Sequence, residues 1–168
     1  MKALYPGTFD PITFGHLDIL ERATSLFDEV VITVAVNTKK ESVFSKDERI
    51  ELIEQALEGK DWAKKVKVVA FTGLLVDHAR EQNVQTLIRG VRQVSDFEYE
   101  FRMALMNRRL APDIDTIFLM PQEQLTFVSA TIVREVAYWG GELQHFVPQH
   151  VAKALQEKYD DIRSREKK

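Results

Sequence analysis

The sequence has 168 residues, 45% of them hydrophobic, and no cysteine: enough for one domain with a sizeable core, with no disulfide, thiolate metal site or cysteine nucleophile. A formal charge of -3 and an isoelectric point near 5.8 give no global pull towards nucleic acid or an anionic membrane. No apolar run approaches the ~18 residues of a membrane span, and no leader-like segment opens the chain, so the expectation is a soluble, cytoplasmic protein.

"KALYPG" reads as a short strand, and His16 to Phe27 carries apolar residues at helical spacing. "EVVITVAVN" is rich in β-branched residues and reads as a strand buried on both faces. Ser45 to Leu57 reads as a helix opening on a capping box, with Ser45 at the cap and Glu48 three residues on. "VKVVAF" is a third strand, a helix lies within "LLVDHAREQ", and "TLIRG" is a fourth strand. The next helix, "SDFEYEFRMALMNRRL", opens with a second box at Ser95 and Glu98. "DTIFLMP" is the fifth strand, "SATIVREVAYWGG" a helix stopped by a glycine pair, and "VPQHVAKALQEKYDDI" the last helix. A single domain is expected over 1–162, with the charged stretch 163–168 frayed.

This alternation implies a doubly wound, Rossmann-like α/β domain: a five-stranded parallel sheet with helices on both faces and a C-terminal helical extension. Ligands of such sheets bind beyond the carboxyl ends of the strands, where strand order reverses. Three unusual stretches follow directly on strands: "PGTFDPITFGH", "RGVRQVSDFE" and "PQEQLTFVSAT". The topology predicts that they share one edge.

In the first, Gly7 and Gly15 let backbone approach a ligand, and Thr8 offers a hydroxyl. His16, at a helix start, suits donation to a phosphate oxygen, or is simply a polar residue there. In the second, Arg89 and Arg92 flank Gly90 and can grip separate phosphates, or pair with Asp96 and Glu100 in a surface network. In the third, Ser129 is a natural N-cap with Thr131 and Arg134 just inside the helix, a start that suits phosphate as well as plain capping. Lys39 and Lys40 add positive charge to the same edge, or are a solvated pair. Neither "GxxxxGK[ST]" nor "GxGxxG" is present.

"YPGTFDPITFGH" resembles the signature of nucleotidylyltransferases, whose "[HT]xGH" motif reads here as Thr13-Phe14-Gly15-His16. "LIRGVRQVSDFEYEFRMALMNRRL" and "FVSATIVREVA" resemble bacterial phosphopantetheine adenylyltransferases, in the same order along nearly the whole chain. The resemblance implies adenylyl transfer from ATP to 4'-phosphopantetheine, giving dephospho-coenzyme A and pyrophosphate, the penultimate step of coenzyme A synthesis. The attack would be direct and in line, with no covalent enzyme intermediate. It implies His16, Lys40 and Arg92 as catalytic residues. ATP contacts are implied for Thr8, Phe9, His16, Gly90, Val91, Arg92 and Glu100, and for Leu125, Thr126, Phe127, Val128, Ser129, Ala130 and Thr131. Acceptor contacts are implied for Thr8, Lys40, Leu75, Arg89 and Asn107. Magnesium bridging the ATP phosphates, no metal site on the protein, a homohexamer, and coenzyme A as a candidate feedback ligand are implied as well.

Some positions depart from the family pattern. Ser129-Ala130-Thr131 stands where relatives carry a serine-rich run, Leu125 where an aromatic is common, and Gly73 where some relatives have an acidic or polar residue. The helix after Ser95 carries two apolar stripes, Phe97, Phe101, Ala104 and Leu105 in one and Tyr99, Met103, Met106 and Leu110 in the other. An outer helix needs only one. The second is expected to line the pantetheine pocket or to meet another subunit. Rival readings are a sibling enzyme acting on nicotinate mononucleotide or a polyol phosphate, and a nucleotide-binding module without turnover.

Overall fold

The computed structural model describes residues 1–36 and 42–166. Strands and helices alternate as β1 (Lys2–Gly7), α1 (Phe14–Leu26), β2 (Glu29–Ala35), α2 (Lys46–Leu57), β3 (Val66–Phe71), α3 (Leu75–Glu81), β4 (Thr86–Gly90), α4 (Val94–Leu110), β5 (Asp115–Leu119), α5 (Ala130–Tyr138) and α6 (Gln149–Glu166). The five strands form one parallel sheet, as the alternation predicts, and the structure orders them β3-β2-β1-β4-β5. Strand order therefore reverses between β1 and β4.

Successive strand residues point to opposite faces, and both faces are apolar. Ala3, Tyr5, Val30, Ile32, Val34 and Ile88 join Leu20 of α1, Ile53 of α2, Val133 of α5 and Leu155 of α6 in one core. Leu4, Val31 and Leu87 form the other with Val76 and Ala79 of α3 and Ala111 and Ile114 beyond α4. Asp61–Lys65 form a short 3-10 turn before β3. α6 continues past residue 162 to Glu166, and the Arg163 guanidinium donates to the Tyr138 carbonyl.

Helix starts follow their capping chemistry in two of three anticipated places. The Ser45 hydroxyl accepts from the Glu48 amide at 3.2 Å and Glu48 returns to the Ser45 amide at 2.7 Å, completing the predicted box. Ser129 caps α5 by accepting from the Ile132 amide. The pair Ser95 and Glu98 does not mark the start of α4, because the helix begins earlier. Gln93 is the extended cap residue, its carbonyl already accepts from Phe97, and Ser95 lies inside the helix.

α4 also departs from expectation in what it buries. Both apolar stripes lie outward: Phe97, Phe101 and Leu105, and equally Tyr99, Met103, Met106 and Leu110, are exposed. Among the described residues the inward stripe is Asp96, Glu100, Ala104 and Asn107. That stripe is mostly polar because it faces Arg89 and Arg92.

Replacing Ser45 by Ala should lower the free energy of unfolding by about 1 kcal/mol, read as an earlier urea midpoint at unchanged slope.

Candidate active site

A cavity of about 290 Å³ opens at the carboxyl ends of β1 and β4, where strand order reverses. All three unusual loops reach it: Thr8 and Phe9 with His16, then Arg89, Gly90, Arg92 and Glu100, then Val128 to Thr131. A larger groove of about 550 Å³ between α2 and α6 contains none of the candidate residues. Val91 is buried and off the cavity wall; Leu125 and Thr126, half-buried, and Phe127, exposed, do not line it either. Leu75, at the start of α3, packs against the Leu4 core, and Asn107 is buried on α4. Lys39 and Lys40 lie outside the described residues.

The first loop is held by its carbonyls. Arg89 Nη1 donates to Pro6 O at 2.9 Å, Arg49 Nη1 to Thr8 O at 2.7 Å, and Arg134 Nη1 to Asp10 O. The Asp10 carboxylate accepts from the Val43 and Phe44 amides, both at 2.9 Å. Asp10 and Arg49 carry no periodic or motif signal, and sequence reasoning did not single them out. A lone acid in a turn and a lone arginine in a helix look like surface residues until the fold buries them.

Phe9 adopts a left-handed backbone conformation, φ 48°, and its ring folds back over Gly7. A Cβ at Gly7 would sit 2.9 Å from Phe9 Cζ. The glycine is therefore required by Phe9. The same ring meets the His16 imidazole edge to face at 5.0 Å and Tyr5 at 5.4 Å.

The Thr13–His16 spacing has a local consequence. Thr13 is the N-cap of α1, which starts at Phe14, two residues before the predicted helix start, and its hydroxyl accepts from the His16 amide at 3.3 Å. His16 Nδ1 accepts in return from the Thr13 amide at 3.1 Å. An Nδ1 that accepts a backbone N–H carries no proton, so the proton of neutral His16 is assigned to Nε2. Burial, reinforced by the Arg92 charge, lowers the His16 pKa to about 4. At neutral pH His16 is a hydrogen-bond donor of fixed tautomer.

Both arginines of the second loop are engaged. Arg89 grips Glu100 with two bonds of 2.6 Å, Nε to Oε2 and Nη2 to Oε1. Burial opposes its charge and the Glu100 pair outweighs that, so its pKa is raised. Arg92 donates to Asp96 at 3.0 Å and to the Val128 carbonyl at 3.0 Å, joining the second loop to the third. The ion-pair network read in the sequence thus exists, and it forms one wall of the cavity. The Asp18 carboxylate accepts from the Gln122 amide, fastening the third loop to α1. At the α5 N-terminus the Ser129 hydroxyl is spent on the cap, which leaves Thr131 as the helix's hydroxyl on the cavity wall.

The model of the cytidylyltransferase-like family matches residues 4–136. Among solved structures, the fold is similar to that of a Vibrio parahaemolyticus protein described as a nicotinate-nucleotide adenylyltransferase, with TM-score 0.70, 16% identity and 94% of each chain covered. It is similar also to Plasmodium falciparum nicotinic acid mononucleotide adenylyltransferase, with TM-score 0.70, 13% identity and 95% of each chain covered. At such identities the likeness concerns the fold.

Two outcomes follow from this geometry. Gly7→Ala should displace the Phe9 ring and with it His16, seen as loss of the ring-current shift on the imidazole protons. The imidazole of His16 should titrate near pH 4 by NMR, against about 6.5 in the unfolded chain. Between those values the unfolded state binds the extra proton. The His16 contribution to stability is then complete above pH 6.5 and lost as pH falls to 4, a slope that His16→Gln removes.

Proposed function

Because the chain belongs to the cytidylyltransferase-like family of nucleotidyltransferases, we propose that it transfers the adenylyl group of ATP to 4'-phosphopantetheine. The observation that carries the reading is neutral His16, with its Nε2–H offered to a cavity where Thr8, Arg92 and the α5 N-terminus converge.

An acceptor phosphate oxygen is already a nucleophile, so the enzyme needs no covalent intermediate. The oxygen attacks the α-phosphorus in line, and the bond to pyrophosphate breaks. Charge builds on the α-phosphate oxygens and the leaving pyrophosphate. His16 Nε2–H and the Arg92 guanidinium are the donors for the former. The free amides of α5 suit the triphosphate, and Ala130 keeps its N–H where a hydroxyl is missing. Lys40 belongs to the same proposal through the sequence alone. Magnesium would arrive with ATP and would supply charge screening between its phosphates.

For the acceptor, the spaced block from Arg89 to Glu100 supports 4'-phosphopantetheine, since Arg89 and Glu100 line the cavity together with His16. Arg89 would trade its Glu100 pair for the acceptor phosphate, and Leu75 and Asn107 would serve the pantetheine arm. The Plasmodium falciparum neighbour is a nicotinic acid mononucleotide adenylyltransferase, which makes nicotinate mononucleotide the rival acceptor. The exposed apolar stripes of α4 support burial against further copies of this chain, as in a hexamer, with coenzyme A as a feedback ligand.

Pyrophosphate release with magnesium and ATP is expected with 4'-phosphopantetheine and not with nicotinate mononucleotide or glycerol 3-phosphate. Turnover of a rival acceptor would keep the family and discard this substrate. His16→Ala should lower kcat by about 10²–10³-fold, with the KM for ATP changed far less. Replacing Phe101 and Leu105 together by Glu should dissociate the assembly to a smaller species in light scattering.

A further inference from the structure

Arg49 is 3% exposed, and among the described residues it forms no ion pair with a carboxylate. Its fork is spent on backbone: Nη1 donates to Thr8 O at 2.7 Å and Ala35 O at 3.0 Å, and Nε to Ser45 O at 3.3 Å. One guanidinium thus joins the first loop, the end of β2 and the N-cap of α2. Arg134, on α5, joins the same loop to another element: it donates to Asp10 O and, at 3.4 Å, to the Thr131 hydroxyl. Burying a guanidinium without a carboxylate is costly, and an apolar side chain of similar volume would pack this space more cheaply. What an apolar side chain could not do is hold Thr8 O and Asp10 O turned away from a site that must accept phosphate.

We propose that Arg49 and Arg134 are positioning residues for nucleotidyl transfer, a clamp on the carbonyls of Thr8 and Asp10 that sets Thr8 and Phe9 against the triphosphate. The residue between the two clamped carbonyls is Phe9, the one in the left-handed conformation, whose ring steadies His16. Releasing either carbonyl lets this strained residue relax, and the relaxation reaches the imidazole. The Arg49 charge, paired with no carboxylate among the described residues, also raises the potential behind a loop that would meet an anion. The inference rests on nucleotidyl transfer at this cavity and is independent of which acceptor is used.

The test compares the full-length chain with Arg49→Met, Arg49→Lys and Arg134→Met. The readouts are kcat and both KM values with whichever acceptor turns over, ATP affinity by calorimetry, and amide exchange of residues 7–10. For Arg49→Met the expected result is a fall in kcat of about 10–100-fold, the scale of a small misplacement at a reacting centre. Weaker ATP binding and faster exchange confined to the first loop should accompany it, with the KM for the acceptor within twofold. Arg49→Lys should recover part of kcat, and Arg134→Met should show the same pattern. Should Arg49→Met fail to fold, Arg49→Lys and Arg134→Met carry the comparison. Unchanged kcat and ATP affinity in folded protein would overturn the proposal. So would an activity loss matching the loss of folded fraction, with both KM values unchanged. If wild type turns over no acceptor, the proposed substrate fails, while ATP affinity and loop exchange still decide the clamp.

Discussion

A loop proposed to meet a triphosphate cannot offer carbonyl oxygens to it, yet each residue from Pro6 to Asp10 carries one. Here the conflict is resolved by guanidiniums arriving from different elements: Arg89 from β4 on Pro6, Arg49 from α2 on Thr8, and Arg134 from α5 on Asp10. Each bond is charge-assisted, and each ties the loop to an element whose own place is set by the sheet. The Asp10 carboxylate adds a tie to the segment before α2. The loop is thereby less a connector than the point where β2, β4, α2 and α5 are fastened together.

The rest of the site inherits its geometry from that fastening. Phe9, caught between two held carbonyls, folds onto Gly7 and meets His16, whose other edge is fixed by Thr13. Burial and the nearby Arg92 charge then keep the imidazole neutral. A neutral donor with a fixed tautomer needs no reorganisation as charge builds on phosphate, which is where preorganised electrostatics has its effect. Arg92 completes the arrangement by reaching across to the Val128 carbonyl, so the second and third loops share one wall.

The demand for polar partners at this edge reshapes the outer layer as well. α4 turns Asp96 and Glu100 inward to meet Arg92 and Arg89, and its apolar residues consequently face away from its own chain. A helix that covered the sheet in the ordinary way would show the opposite pattern. The surface left apolar is thus a consequence of the ion pairs at the site.

Much of this is legible in the amino-acid order, because it depends on contacts close along the chain. β-branched runs bounded by helical periodicity determine the alternation of strands and helices, and chirality then leaves a doubly wound parallel sheet. The Ser45 box, the Ser129 cap and the three loops at one edge follow from local chemistry. The start of α4 does not, because Ser95 and Glu98 match a box in spacing while the helix begins at Val94. What only the tertiary structure decided are the long-range choices. Arg49 reaches back 41 residues to Thr8, and Arg134 reaches back 124 to Asp10. Whether such a side chain is a solvated charge or a buried clamp depends on which carbonyls the folded sheet brings within reach, and no local pattern encodes that.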